Sequence, residues 1–382
     1  MLHFLHIITK SEVLTMSATA VKYDKQIKAK KALPEKKPKS IARKTYIEVM
    51  RIVASFLVIV NHTNSDVFLK MCEPQSLTWY FSLTYFYISK IAVPVFFMIM
   101  GGLLLQKIDK PKKSVERVVR MVVVTVLFSL AYYIKAHWHN PSSMSVFEFV
   151  KQIFTFRSAN AYWYIYAYIG LLILLPLMQR MANAFSKRAT MYFVVLSMGV
   201  MGFIPLMNIF FKITPHHYVT DMFFPVHLGI VFMGYYIEKY MKIDKKAFLL
   251  SVFSFVFLIA FQVVVTSVFY DKNSASYLQL DNWQYLTITL SATCFYVIFK
   301  YISTVYKTKE ATAKVLCYLG SLTFGIYLIS DMMISLTREL YANLQQDCSI
   351  MVATIIWEIL IFALCGVITA VLKFIPGLKK LL

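Results

Sequence analysis

Charge is scarce in this chain of 382 residues: Asp, Glu, Lys and Arg together make up 15%, against about 25% in a typical soluble domain. Together with 59% apolar residues and a mean hydropathy of +0.62, that shortage excludes a soluble globular protein. Glycine and proline are also rare, at 11 each, so collagen is excluded, and the apolar content excludes a disordered chain. Five cysteines do not make a disulfide-stapled secreted domain. Cys294, Cys317 and Cys365 fall within or beside apolar segments, where a thiol packs. Cys72 and Cys348 would both face outward and could pair. No Walker loop, GxGxxG or GxSxG is present. His137-x-His139 and His216-His217 lack companion cysteines, so no metal site is expected.

Acidic residues are the scarcer sign, 19 against 40 Lys and Arg, for a formal charge of +21. In a soluble protein that excess would suggest nucleic acid, whereas in a hydrophobic one it marks cytoplasmic loops. A hydrocarbon core about 30 Å thick needs roughly 20 apolar residues per helix. Ten such segments are expected, at about 46–66, 81–105, 118–138, 162–181, 190–211, 222–240, 247–270, 284–306, 315–336 and 350–373. Their runs are continuous rather than alternating, which argues against a strand barrel. With ten spans, 31 basic residues lie on one side and seven on the other, and Arg51 and Lys90 within spans complete the 40. The expected fold is all-α and polytopic, with both termini cytoplasmic and nucleic acid set aside as a partner. Residues 1–45 read as a basic cytoplasmic tail able to touch anionic lipid, 46–374 as the membrane domain and 375–382 as a short cytoplasmic tail.

Ionisable residues inside a span cost a few kcal/mol or more, so each is a functional candidate. In the first span Glu48, Arg51, Ala54, Ser55, Val58 and His62 follow the spacing of one helical face. Arg51 and His62 share that stripe and stand roughly 16 Å apart along the axis, at about 1.5 Å per residue. A guanidinium near the cytoplasmic mouth suits a phosphate or carboxylate, and a neutral imidazole deeper in suits taking a proton from a hydroxyl. The same spacing equally allows a plain pairing of Arg51 with Glu48. Arg117 and Arg120, one turn apart at the start of the third span, form a basic cluster with Lys112 and Lys113 that could hold a polyphosphate. Trp163, Tyr164, Tyr166 and Tyr168 fit an aromatic belt. Lys90, His227, Asp331 and Glu358 also lie within spans, and some of them are expected to pair with one another.

These residues resemble the integral-membrane acyltransferase 3 family, whose members are ten-helix transferases acting on cell-surface sugars. Arg51-Ile-Val-Ala54 followed by His62 looks like the family's R-x-x-A…H signature. Val93-Pro94-Val95-Phe96-Phe97 with Gly101-Gly102-Leu103-Leu104 is similar to its V-P-x-F-F…G-x-L-L, and Arg117-Val-Val-Arg120 to its R-x-x-R. Trp163-Tyr164 with Pro176-Leu177 resembles W-Y…P-L, and Leu319-Gly320 through Phe324-Gly325-Ile326-Tyr327-Leu328-Ile329 resembles L-G…F-G-I-Y-L-I-H. Two positions depart: Val123 stands where a proline often follows R-x-x-R, and Ser330 where the late motif often has His.

The resemblance implies a plasma-membrane O-acyltransferase carrying an acyl group, expected to be acetyl, from cytoplasmic acetyl-CoA to a hydroxyl of a glycan or lipid-linked saccharide. His62 would be the base or the acyl carrier, while Arg51 would position the donor or pair with Glu48 to line its entry. Arg117 and Arg120 would hold the CoA phosphates. Trp163, Tyr164 and Glu48 would shape the substrate path, with Asp331 standing in for the missing His. The competing class is a glycolipid or small-molecule transporter or flippase, which would use similar intramembrane charges; no internal repeat between the two halves supports it.

Overall fold

A computed structural model describes residues 45–64, 69–155, 158–213, 226–270 and 286–382. Among them every regular element is helical. The expected basic tail lies outside the described residues.

The helices are α1 (Thr45–Thr63), α2 (Leu77–Ser89), α3 (Ala92–Leu104), α4 (Pro111–Ala136), α5 (Val146–Phe154), α6 (Trp163–Ala184), α7 (Lys187–Phe211), α8 (Val226–Lys239), α9 (Lys245–Val268), α10 (Leu286–Val305), α11 (Glu310–Leu336), α12 (Arg338–Asp347), α13 (Ile350–Leu372) and α14 (Pro376–Leu381). Helical bodies stand at all ten expected places, with α2 and α3 sharing one. Eight are long and apolar enough to cross a membrane. The other two are α7 and α8; α8 is described over only 14 residues, and residues 214–225 before it lie outside the described set. The chain is thus an all-α polytopic membrane protein.

Helix ends follow local chemistry. Ser76 caps α2 by accepting from the Trp79 amide at 3.1 Å, and Asp244 caps α9 through the Ala247 amide at 2.8 Å, each meeting a donor that a helix start leaves unpaired. Pro111 opens α4, where its missing N–H costs nothing.

The second expected span, 81–105, is not one straight helix. It breaks at Lys90–Ile91. The cause lies four residues on: Pro94 has no N–H to offer the Lys90 carbonyl, and its ring crowds that turn. The proline was plain in the sequence; its consequence, a turn of backbone that faces Lys90 into the bundle, was not.

In lipid the apolar effect does not draw helices together, so close packing and polar links must do so. The α3–α8 crossing is a backbone contact. A Cβ on Gly234 would run into the Met98 carbonyl, and one on Gly101 into the Val231 carbonyl. Buried polar links tie the rest. Glu238 of α8 accepts from Tyr46 at 2.6 Å and from Tyr296 at 3.1 Å, with the Lys300 ammonium 3.7 Å away, which joins α1, α8 and α10. Outward-facing surfaces are apolar, as with Val256, Phe257 and Val264 on α9 and Val122, Val126 and Leu130 on α4. All five cysteines are free thiols, so Cys72 and Cys348 do not pair.

The Tyr132 hydroxyl is inserted into the backbone ladder of α11. It donates to the Leu328 carbonyl at 3.2 Å and accepts from the Met332 amide at 2.9 Å. Tyr162 donates to the same carbonyl at 3.1 Å.

Candidate active site

The polar stripe of α1 does face inward. Glu48, Ala54, Ser55 and Val58 are buried, and Arg51 and His62 are half-buried at its two ends. At the His62 end a cavity of about 300 Å³ opens between α1, α3, α6 and α11. Its walls bring His62 and Asn61 together with Trp163, Tyr164 and Tyr327, and with Ser89 and Lys90 at the α2–α3 break. Of the expected site residues, His62, Trp163 and Tyr164 therefore meet in one place. Glu48, Arg51, Arg117, Arg120 and Asp331 do not line it.

The aromatic wall is built by packing. Tyr164 stacks on Tyr168 with centroids 6.0 Å apart, and meets Phe97 at 5.0 Å and Tyr327 edge-on at 5.6 Å. Tyr327 in turn donates to the Ala161 carbonyl, which fixes α11 against the turn that starts α6. Membrane-interface residues need no such interlocking, so the belt reading accounts for the composition of this segment but not for its position.

Behind His62 the helix end is held on both sides. Thr63 donates to Glu358 of α13 at 2.6 Å, and Tyr85 of α2 donates to the other carboxyl oxygen at 2.7 Å. Asn64 and Ser82 exchange hydrogen bonds, Asn64 Nδ2 to the Ser82 carbonyl and Ser82 Oγ to Asn64 Oδ1, both at 2.8 Å. Some of the in-span ionisable residues are expected to pair with one another; Glu358, one of them, is held by the two hydroxyls. Lys90 lies over the Phe86 ring, 4.2 Å from its centroid.

At the opposite end, Arg51 pairs with Glu48 at 3.3 Å. Arg117 pairs with Asp109 at 2.7 Å, and Lys113 reaches the same carboxylate at 3.2 Å. Gln179 of α6 donates to Asp109 at 3.1 Å and accepts from its amide at 3.0 Å. Arg120 donates twice to the Leu381 carbonyl of α14, at 2.9 and 2.7 Å. So the last residues are not a loose tail: α14 is folded onto this cluster, and Leu382 is buried. Arg51, Arg117 and Arg120 each act electrostatically on the Tyr168 hydroxyl. Tyr168, stacked on Tyr164, links this basic end to the cavity along one face of α6.

The Asp109 carboxyl is pulled two ways. Burial works to raise it, but hydrogen bonds from Arg117, Gln179 and Lys113 prevail and hold it at about 2. A carboxyl depressed below its usual value of about 3.9 stabilises the fold above that value, and the contribution fades only as the pH falls towards the folded value. The melting-temperature gap between wild type and Asp109→Asn should therefore stay constant from pH 8 to pH 5 and close only below about pH 4. A gap that narrows between pH 8 and pH 5 would show that this pair is not ionised as the geometry requires.

At the two positions that depart from the family pattern, Val123 is exposed on the outer face of α4. The Ser330 hydroxyl turns back onto the Tyr327 carbonyl at 3.1 Å. Asp331 acts electrostatically on Tyr132, Tyr162 and Tyr327 and is not among the residues lining the cavity.

Among known proteins, the family model of the acyltransferase domain, type 3, matches residues 44–375. Neither the curated proteins nor the solved structures compared with the chain give a match.

Proposed function

The chain belongs to the acyltransferase 3 family and is a multipass membrane acyltransferase; from that premise we propose that it carries an acetyl group from cytoplasmic acetyl-CoA to a hydroxyl of a glycan or lipid-linked saccharide. The observation that carries this reading is the cavity that gathers His62 with Trp163 and Tyr164 from distant parts of the chain. It combines a base with aromatic faces on which a sugar can stack.

In this reading neutral His62 takes the proton of the acceptor hydroxyl as its oxygen attacks the thioester carbonyl. The C–O bond forms, the C–S bond breaks, and the proton passes from the imidazolium to the departing CoA sulfur. Direct acylation of His62, followed by transfer to the hydroxyl, uses the same groups in two steps. The arginine cluster takes the donor phosphates. Each guanidinium carries five N–H donors, so Arg117 and Arg120 have capacity beyond Asp109 and Leu381. Arg51, paired with Glu48, lines the donor's approach past Tyr168, and Asp331 supports the tyrosines of the acceptor wall. The excess of basic residues on one side supports cytoplasmic termini in the cell membrane.

Purified protein in nanodiscs with radiolabelled acetyl-CoA tests the donor site. Replacing Arg117 and Arg120 by Ala should weaken binding by tenfold or more, since a hydrogen bond to a charged group contributes about 1.5–3 kcal/mol. Failure of the wild type to bind acetyl-CoA or longer acyl-CoAs would remove the assignment, and movement of a glycolipid without covalent change would put a transporter in its place.

A further inference from the structure

The nine residues of α5 fall short of the roughly 12–15 at which an isolated helix is even marginal in water, so its neighbours must hold it. Two tyrosines do. Tyr133 of α4 donates to the Ser145 carbonyl at 3.1 Å and accepts from the Ser145 amide at 2.9 Å, and its ring meets Phe149 with centroids 5.4 Å apart. Tyr166 of α6 donates to the Ile153 carbonyl at 2.6 Å. α5 therefore bridges the end of α4 and the start of α6, on the side of the bundle where the cavity lies. The chain passes from it to the turn Asn160–Tyr162. Ala161 of that turn and Trp163 after it line the cavity.

The side chains of α5 sort into three sectors. At about 100° per residue, Phe149 and Ile153 occupy one edge, where both are half-buried against the bundle. Val146, Phe147, Val150 and Phe154 fill the adjoining arc and are 82%, 73%, 45% and 77% exposed. Glu148, Lys151 and Gln152 make up the rest, with Glu148 and Lys151 paired at 3.5 Å. Two valines and two phenylalanines turned to water together are unfavourable. One edge on protein, one apolar arc and a charged side beyond it match a helix lying in the plane of a membrane surface. The adjacent surface already faces lipid. α4 presents Val122, Val126, Leu130 and Ile134 outward at every fourth residue, and exposed Trp138 stands four further on, a residue type that collects at the headgroup level. Ile134 adjoins Tyr133, which holds α5, so the apolar arc of α5 continues the lipid-facing surface of α4. That continuity selects lipid as the occupant.

We propose that α5 is an in-plane membrane helix, with Val146, Phe147, Val150 and Phe154 in the hydrocarbon of the leaflet beside the cavity, and that it sets the cavity mouth at the level where a saccharide anchored in that leaflet presents its sugar. The acceptor half of this proposal rests on the acyl-transfer reading; the membrane docking does not. The acceptor's hydrocarbon then travels along the apolar arc while its sugar enters between Trp163 and Tyr164 towards His62. Of a free glycan and a lipid-linked saccharide, the second is the acceptor this surface fits.

The test reconstitutes the full-length protein in vesicles of phosphatidylethanolamine and phosphatidylglycerol. p-Benzoylphenylalanine placed at position 147, 154 or 148 cross-links on illumination to the nearest C–H bonds, and intact mass identifies the product. Positions 147 and 154 should gain the mass of one lipid, in several-fold greater yield than position 148 on the charged side. No lipid adduct at 147 and 154, or an equal yield at 148, overturns the docking. A covalent dimer through 147 assigns the face to a second copy of the chain and overturns it too. Acetyl transfer to hexadecyl glucoside and to methyl glucoside tests the acceptor. In Phe147→Glu/Phe154→Glu the ratio of kcat/KM, hexadecyl over methyl, should fall about fivefold or more, and Phe147→Leu/Phe154→Leu should retain it. An unchanged ratio in the Glu variant overturns the acceptor role. Transfer to neither glucoside by the wild type, with no CoA release, removes the acyl-transfer reading and the acceptor role with it, while the cross-link still decides the docking. Cross-linking alters one exposed side chain at a time, so its result stands even if the Glu variant folds poorly.

Discussion

His62→Ala should lower acetyl transfer by about 10²–10⁴-fold, the range a positioned general base contributes, while leaving expression and membrane insertion intact. The substitution is well suited to an unambiguous result. His62 is half-buried at the cavity wall, and the helix end that carries it is held by its neighbours, Thr63 on Glu358 and Asn64 on Ser82. Losing the imidazole therefore leaves the backbone anchored. Acetyl-CoA binding should persist, because Arg117 and Arg120 lie at the opposite end. A variant that still binds donor but neither transfers acetyl nor releases CoA isolates the chemistry at residue 62. Transfer within a few-fold of wild type would remove His62 from the mechanism and with it the function assigned to the cavity.

Gly234→Ala should leave little or no properly assembled protein, a loss that corresponds to more than about 4 kcal/mol. A single methyl is the smallest possible addition, yet here it meets the Met98 carbonyl, backbone that cannot rotate away as a side chain can. Relief by sliding α8 is closed off, since Gly101 on the facing helix makes the reciprocal contact with Val231. Overpacking of an ordinary core site costs about 1–3 kcal/mol, and this site lacks the soft neighbours that keep the cost so low. Gly170→Ala is the matched control: nothing lies within 4 Å of its added Cβ, and alanine is the better helix former. Size-exclusion chromatography of the solubilised proteins should show a monodisperse peak for Gly170→Ala and aggregate or no protein for Gly234→Ala. A normal peak for Gly234→Ala would mean that α3 and α8 are not in backbone contact.

The bundle was legible in the sequence because membrane helices are written in long apolar runs. Each expected span has its helix, and the inward stripe of α1 follows from spacing alone. The site was legible only in pieces. His62 could be read from its own helix and Trp163-Tyr164 from theirs, but their meeting depends on helix packing that no local pattern encodes. Lys90 was visible as an in-span charge, yet its place in the cavity arises from Pro94 four residues away combined with α6 and α11, which begin far along the chain at Trp163 and Glu310. The hydroxyl partners of Glu358 escaped notice for a related reason: Thr63 and Tyr85 look like ordinary span residues, and only their depth in the fold makes them donors to a carboxylate. The closeness of Arg117 and Arg120 follows from their spacing, whereas the partners they hold, Asp109 and the Leu381 carbonyl, come from a loop and from the short C-terminal segment, which no local pattern links to them.

The tyrosine inserted into α11 makes one backbone amide an internal reporter. The Met332 N–H finds an acceptor in Tyr132, 200 residues earlier in the chain, so part of its shielding from water depends on α4 being seated against α11. Deuterium uptake at that single amide, compared with its neighbours in the same helix, would report whether α4 stays seated against α11 when substrates are added, in the native enzyme and without any label attached.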